Sequence, residues 1–527
     1  MSYGRTLEET YKVWLCLGGV GLAVAWRQVP RKYALGALAA LTLFAGVNNW
    51  RADWGTFAVQ ADSYDLVHYY LNAKYWDELR YADLYPAALR ADFDNGGPFF
   101  DPGPAYMQQG NGPDKIRPVE EALARGEIVK RDHFTPERWA AFTHDVLYLE
   151  RDRDEMSRDL WKQMIQDHGY NGAPAWTAIA RPLASWVPVE QVKALCMIDP
   201  ALLLVALFTL AWAYDGGVAL WAALFLFVTY STRWPVIGWA FLRYDYVAGL
   251  MIAMALLKKG REISDTSRYK YVAYAFAGLF ASWSATLRLF PAAWLFGPAS
   301  KGILGLIERK VHKPLLVLAA GFLLGAATLE GYAVLQLGPT VISEHLADMK
   351  QHTAPSQLSS RRVGLALALP YRGELMPKNI TKQRKAEVEE QRPVQLAIAG
   401  LTMFLLGAGM RREKDDEAFA WGFLPLFLLT TASYYYYVTR VTLVIAHAAN
   451  LDKRRHVAGL AALLGIELFC NKAETGLPEH RVFLVGWLAW LLCAYTVFNV
   501  GALLWEAWRK EPASTPSEST PAAVNAG

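Results

Sequence analysis

The chain has 527 residues, of which 54% are hydrophobic and 13% aromatic, with 20 Trp. That is too apolar for an ordinary soluble enzyme of this size. A formal net charge of +4 at pH 7 is too small to point to nucleic acid as a partner.

The apolar residues gather in blocks of about 16–24, the length a helix needs to cross a bilayer. Blocks fall near 13–26, 33–49, 192–213, 217–232, 235–257, 271–287, 289–308, 314–337, 394–410, 417–432, 434–450, 456–470 and 482–506. They predict an all-α membrane protein, a polytopic helical bundle of about 11–13 transmembrane helices in a plasma (inner) membrane.

In chain order, residues 1–50 read as two helices joined by "RQVPRK". Glu8 and Glu9 precede the first apolar stretch and no small-residue cleavage site follows it, so both helices are expected to be retained. Residues 51–191 form a long polar segment, read as an extracytoplasmic loop domain. It contains the Gly/Pro/Asp-rich "DFDNGGPFFDPGPAYMQQGNGPD". A helical run follows, with Thr135 as N-cap, Pro136 at the first helical position and Gly169 as the stop. "APAWTAIARPLASWVP" then predicts an aromatic, interfacial re-entry.

Residues 192–337 are transmembrane helices, 338–393 a second extracytoplasmic loop, and 394–508 the C-terminal transmembrane helices. Residues 509–527 have the composition of a disordered cytoplasmic tail. The basic connections "RQVPRK", "KKGREISDTSRYK", "ERKVHK", "RREKDDE", "LDKRRH" and "WRK" alternate, so one cytoplasmic side holds them all. Cys16, Cys196, Cys470 and Cys493 form no CxxC pair or metal-ligand spacing and are expected to pack between helices.

The stretch "DSYDLVHYYLNAKYWDELRYADLY", residues 62–85, follows an outward-going helix. On a helix Asp62, Asp65 and Tyr69 share a face, with His68 and Asn72 beside them. Carboxylates at that boundary are costly unless solvated, paired or functional. They either end the helix in water near Lys74 or carry chemistry. Arg243 and Asp245, in "LRYDYVAGL", and Arg288, ahead of Phe290 and Pro291, map to the same face. So do Arg361, Arg362 and Arg372 of the second loop and Arg440 after "YYYYVT". Such arginines either snorkel to headgroups or clamp a phosphate.

A lipid-phosphate sugar donor needs this combination. Arginines stabilise the charge growing on the leaving phosphate, and a carboxylate takes the proton of the attacking hydroxyl. Aromatic side chains suit sugar faces and polyprenyl chains. No P-loop, helix-opening GxGxxG or HExxH is present, so no cofactor and no metal is implied. In "QDHGYNGAP", Gly169 and Asn171 suit helix termination and His168 is a candidate for acceptor binding. His447 reads as a helix-packing residue.

"DLVHYYLNAKYWDELRYADLY" resembles the first external loop of polyprenol-phosphate-mannose-dependent alpha-mannosyltransferases, members of the GT-C superfamily of integral-membrane glycosyltransferases. "AGLFASWSATLRLFPAAWLF" is similar to a later segment of the same family. The resemblance implies a GT-C-like fold, with Asp65 as catalytic base, Asp62 as base or partner, Tyr69 as the matching tyrosine and Arg288 as a donor-phosphate ligand. Arg243, Arg361, Arg362 and Arg440 are expected to assist on the phosphate, and His68, Lys74 and His168 to bind substrate. "RYDY" replaces the family's Gly-Gln, and the first loop is longer and more charged, which leaves sugar and acceptor undefined. The implied partners are a polyprenyl-phosphate-linked sugar donor, a lipid or glycan acceptor and membrane lipids. A transporter or flippase of lipid-linked sugars, and an O-antigen-type polymerase or ligase, are the competing readings.

Overall fold

The computed structural model describes residues 5–50, 61–97, 106–107, 116–151, 158–165, 169–233, 237–352, 361–373, 375 and 381–509. The described residues are mainly helical. The strands among the described residues are two short antiparallel ladders, Tyr106–Met107 with Ile116–Arg117 and Arg362–Val363 with Ala432–Ser433. Each predicted apolar block contains helix. Val189–Ala213, Lys313–Leu337, Arg392–Arg412 and Arg481–Trp508 are four helices long and apolar enough to cross a membrane, and Gly216–Val228 is a shorter apolar helix. Large apolar side chains such as Phe208, Leu335, Phe404 and Val497 remain exposed on the bundle's outside, as expected where lipid rather than water is the solvent.

Two buried cores divide the molecule, one among the apolar helices and one largely within residues 61–198. Close helix contacts fix the geometry between them. A Cβ on Gly278 would lie 2.2 Å from the Leu318 carbonyl oxygen, and one on Gly321 would lie 2.3 Å from that of Ala275. Helices Arg268–Leu287 and Lys313–Leu337 therefore meet backbone to backbone, as small residues permit in membranes. Ser284 Oγ donates to the Tyr246 carbonyl at 2.8 Å, tying Asp245–Glu262 to the same helix. At the end of Lys313–Leu337, Arg181 donates to the Gln336 carbonyl at 2.9 Å and Arg80 to that of Leu337 at 2.6 Å. Two cations thus satisfy carbonyls that a helix C-terminus leaves over, and they dock the polar segment onto the bundle.

The opposite end of the bundle carries the basic connections. There the helix Asp415–Ala420 opens with three carboxylates, the sign its N-terminus favours. Asp415 is bound by Lys301 and Tyr274. Asp416 accepts from Tyr214 at 2.8 Å and Arg261 at 3.2 Å. Glu417 accepts from Lys414 at 2.7 Å and Asn450 at 2.9 Å. Three consecutive acids hold partners drawn from widely separated parts of the chain.

Several boundaries differ from expectation. The block at 235–257 becomes regular helix at Asp245 rather than at its start, because Gly238 takes φ +89 and Leu242 φ +48 in an irregular turn. Arg243 and Asp245 therefore sit at the head of that helix, not inside it. The run from Thr135 is Pro136–Arg151 and then Arg158–Ile165, with Thr135 Oγ1 capping Arg138 N at 3.3 Å as expected. Gly169 takes φ +68, the left-handed conformation that ends helices. "APAWTAIARPLASW" forms the helix Pro174–Trp186, which buries Trp176 while leaving Trp186 exposed. The four cysteines are free. The tail 510–527 lies outside the described residues.

Candidate functional site

The stretch at 62–85 is not one helix. Asp62 caps a short turn, Ser63–Leu66, by accepting from Tyr64 N at 3.1 Å, while its own N–H donates to the Trp239 carbonyl at 2.7 Å. Val67–Leu71 then widens into a π turn before Asn72–Lys74 resumes. Such turns re-aim side chains and recur at functional sites. Asp62 lies ahead of the helix rather than on a shared face, a correction to the expected spacing. Asp65 and Tyr69 are turned toward the irregular segment 237–244.

There Asp65 Oδ1 meets the Arg243 guanidinium at 3.0 Å, with both side chains nearly buried. The guanidinium lies over the rings of Tyr69 and Tyr435, 5.0 and 4.9 Å from their centroids. Arg288, the C-cap of Arg268–Leu287, lies 5.8 Å from the Tyr69 centroid and 5.9 Å from that of Trp176. Tyr69 thus has two cations near its ring, and its hydroxyl donates to Asn171 Oδ1 at 2.7 Å. Asp199 Oδ2 accepts from Arg243 N at 2.6 Å, and Trp176 Nε1 donates to the Leu242 carbonyl at 2.9 Å. These bonds hold the backbone at Leu242, whose positive φ is costly for a branched side chain. An aromatic wall of Tyr435, Tyr436, Phe290 and Tyr246 continues beside them, with centroids 4.4, 4.6 and 5.5 Å apart in succession.

Four charged side-chain atoms in and beside this cluster lack a hydrogen-bond partner among the described residues, Asp199 Oδ1 and Asp245 Oδ2 among them. The other two are Asp65 Oδ2 and Arg288 Nη2, likewise buried. Arg288 donates only from Nη1, to the Leu287 carbonyl at 3.0 Å. Buried charge without a partner is expensive, and such exceptions concentrate where a ligand completes the site. The electrostatics around them are uneven. Burial and then the neighbouring Asp65 charge push the half-buried Asp62 carboxyl up to about 7. Burial also raises the Tyr69 phenol, against the opposing pull of Arg243 and Arg288, so it stays protonated as a donor. An acceptor oxygen and a cationic donor, held in one cluster around Tyr69, can engage a hydroxyl and an anion of one bound assembly.

The structure thus brings together Asp65, Tyr69, Arg243 and Arg288, and sets Asp62 at their edge. Arg362 is half-buried beside the same aromatic wall: it pairs in register with Ser433, and its guanidinium donates to the Thr431 carbonyl at 3.1 Å. Arg361 and Arg372 are exposed on that loop.

Other expected ligands sit elsewhere. Arg440 is wholly buried in the bundle, paired with Glu467 at 2.7 Å, so it does not join the phosphate cluster. Glu467 also accepts from Thr229 at 3.1 Å and from Tyr230 N at 2.7 Å. Lys74 is likewise engaged, with Asp145 at 2.6 Å and the Tyr70 hydroxyl at 2.9 Å. His68 is buried between the Tyr64 carbonyl at 2.7 Å and the Tyr85 hydroxyl at 2.6 Å. Both are therefore structural contacts in this conformation rather than exposed substrate ligands. His168 lies outside the described residues. His447 packs between helices as expected, bonded to His456 at 3.1 Å and Tyr495 at 2.7 Å.

Trp176, Tyr435 and Asp199 are site residues that sequence reasoning missed. Trp176 and Tyr435 lie in aromatic-rich runs where no single ring stands out. Asp199 gave the one available signal, an acid at the head of an apolar helix. No protein-family model matches the chain, and no curated protein or solved structure matches it.

Proposed function

We propose that the chain is a GT-C-like glycosyltransferase, a bundle of about 11–13 transmembrane helices in a plasma (inner) membrane. It would move a sugar from a polyprenyl-phosphate donor to a lipid or glycan acceptor on the extracytoplasmic face. The observation that carries this reading is the pair of buried atoms Asp65 Oδ2 and Arg288 Nη2, without a hydrogen-bond partner among the described residues, in the cluster around Tyr69. In the proposed step, Asp65 takes the proton of the acceptor hydroxyl as its oxygen attacks the anomeric carbon. The bond from that carbon to the phosphate oxygen breaks, and the electron pair leaves with the lipid phosphate. Arg288 and Arg243 stabilise the charge that grows there. Tyr69, Trp176 and the aromatic wall offer faces for a sugar ring and the first isoprene units.

Asp65→Asn in purified protein tests the assignment. Transfer from a polyprenyl-phosphate sugar should fall by about a thousandfold, within the range that loss of an acid–base group gives, with the melting temperature little changed. Undiminished transfer would overturn the catalytic role of Asp65.

A further inference from the structure

Arg243 and Arg288 are the same residue type near one ring, that of Tyr69, yet they are engaged differently. Arg288 is fixed at the end of a long helix and keeps Nη2 unpartnered. Arg243 stands on the irregular segment between two helices, with its backbone anchored through Asp199 and its guanidinium already paired to Asp65 at 3.0 Å. A carboxylate oxygen held in a charge-assisted pair must give up that contact before it can engage a substrate hydroxyl. In the conformation observed, the proposed base is therefore restrained by one of the proposed phosphate ligands.

We infer that Arg243 is a latch on Asp65 that an anionic phosphate releases: the guanidinium leaves Asp65 Oδ1 for a phosphate seated on Arg288, and the carboxylate is freed as that phosphate binds. This rests on the proposed function for the site and adds regulation to it. The anchored backbone and flexible side chain of Arg243 suit a change of partner without movement of the fold. The flanking Tyr69 and Tyr435 rings stack against the guanidinium without competing for its hydrogen bonds in the plane. Asp62 on the same element, Asp199 behind the Arg243 backbone and Asp245 at the head of the next helix are the other acids around the pair. Asp62 and Asp199 accept from backbone N–H groups, Tyr64 N and Arg243 N, and Asp245 accepts from Tyr246 N at 2.8 Å. Asp65 is thus the carboxylate that competes with a ligand for the Arg243 side chain. The latch would also keep Asp65 Oδ1 from engaging water before donor arrives, since Arg243 leaves that oxygen only when phosphate is present.

A double-mutant binding cycle tests it, because two partners competing for one cation are energetically coupled. The probe is polyprenyl phosphate in detergent micelles, with inorganic phosphate as a second arm that separates headgroup from lipid recognition. Asp65→Asn should tighten polyprenyl-phosphate binding about tenfold by releasing Arg243. In an Arg243→Gln background the same change should alter affinity less than about twofold. Equal tightening in both backgrounds would mean that Asp65 acts only through its field, and would overturn the latch. Unchanged or weaker binding in Asp65→Asn would overturn it as well. Arg288→Gln separates this from the reading of the site: it should weaken binding about a hundredfold in every background. If Arg288→Gln leaves binding intact, the phosphate site itself is wrong. Should Arg243→Gln fold poorly, Arg243→Met, similar in length and uncharged, replaces it in the cycle with the same expected and overturning outcomes.

Discussion

Two acidic clusters at opposite ends of the bundle treat their buried carboxylates in opposite ways. At the basic end Asp415, Asp416 and Glu417 each hold two donors, and none of their carboxylate oxygens is buried without a partner. At the other end Asp65 and Arg288 each bury an atom that no described residue satisfies, and Asp199 Oδ1 and Asp245 Oδ2 are in the same condition. Both regions contain several acids, several cations and several tyrosines. What separates them is completeness. A saturated network fixes helices in place, whereas an unsaturated one retains the electrostatic free energy that a ligand recovers on binding. Charge at a membrane boundary is thus not itself a sign of function, and the state of its hydrogen bonds is the more informative property.

The sharpest way to break this contrast is to damage the saturated end. Asp416→Ala leaves Tyr214 and Arg261 without their acceptor and should cost about 2–4 kcal/mol of stability. Thermal unfolding in detergent measures that loss, and polyprenyl-phosphate affinity should stay within about twofold of the parent. A matching loss of affinity at unchanged stability would show that the acidic cluster belongs to the site after all.

Asp62 sharpens the contrast from the other side. Its carboxyl, ordinarily near 3.8, stands at about 7 in the folded chain, raised first by burial and then by Asp65. Between those values the folded chain holds a proton that the unfolded chain releases. The contribution to stability is complete below the lower value and is lost as pH rises through the upper one. Asp62→Asn keeps a side-chain acceptor for the Tyr64 N–H but cannot take up the proton. The fall in stability from pH 4 to pH 7 should therefore flatten by about 1–2 kcal/mol once solvent screening of the half-buried group is allowed for. An unaltered profile of melting temperature against pH would mean that Asp62 is ionised throughout.

Much of this was legible before any coordinates. The apolar blocks revealed the helices because long apolar runs favour helix where lipid is the solvent, and Asp65, Tyr69, Arg243 and Arg288 were legible as one group. The π turn at Val67–Leu71 was not, because nothing in "VHYYL" distinguishes it from ordinary helix, and neither was the bond from the Asp62 N–H to the Trp239 carbonyl far along the chain. The late helix start at Asp245 was half legible: Gly238 advertises a break, but Leu242 at φ +48 does not. Arg440 misled because its partner, Glu467, lies on another helix, and an arginine after a tyrosine run looks the same in sequence whether it faces an anion or a buried glutamate. Lys74 and His68 misled for the same reason. Partners distant in sequence decide whether a polar side chain is available.

The smallest expected effect is also the most local. Trp176 touches both halves of the site, with its Nε1–H on the Leu242 carbonyl at 2.9 Å and its ring 5.9 Å from Arg288. Trp176→Phe keeps an aromatic face of similar placement and removes the N–H, leaving a buried carbonyl at a residue with an unfavourable φ. The loss should be about 1 kcal/mol of stability. The backbone before Arg243 would be freer, and the cation–π support of Arg288 weaker, since phenylalanine has the poorer face. Polyprenyl-phosphate affinity should therefore fall only about two- to threefold, with Asp65→Asn still tightening binding in the variant. If that tightening vanished, Trp176 would be holding Arg243 within reach of its two partners, and the latch would include the tryptophan that anchors its base.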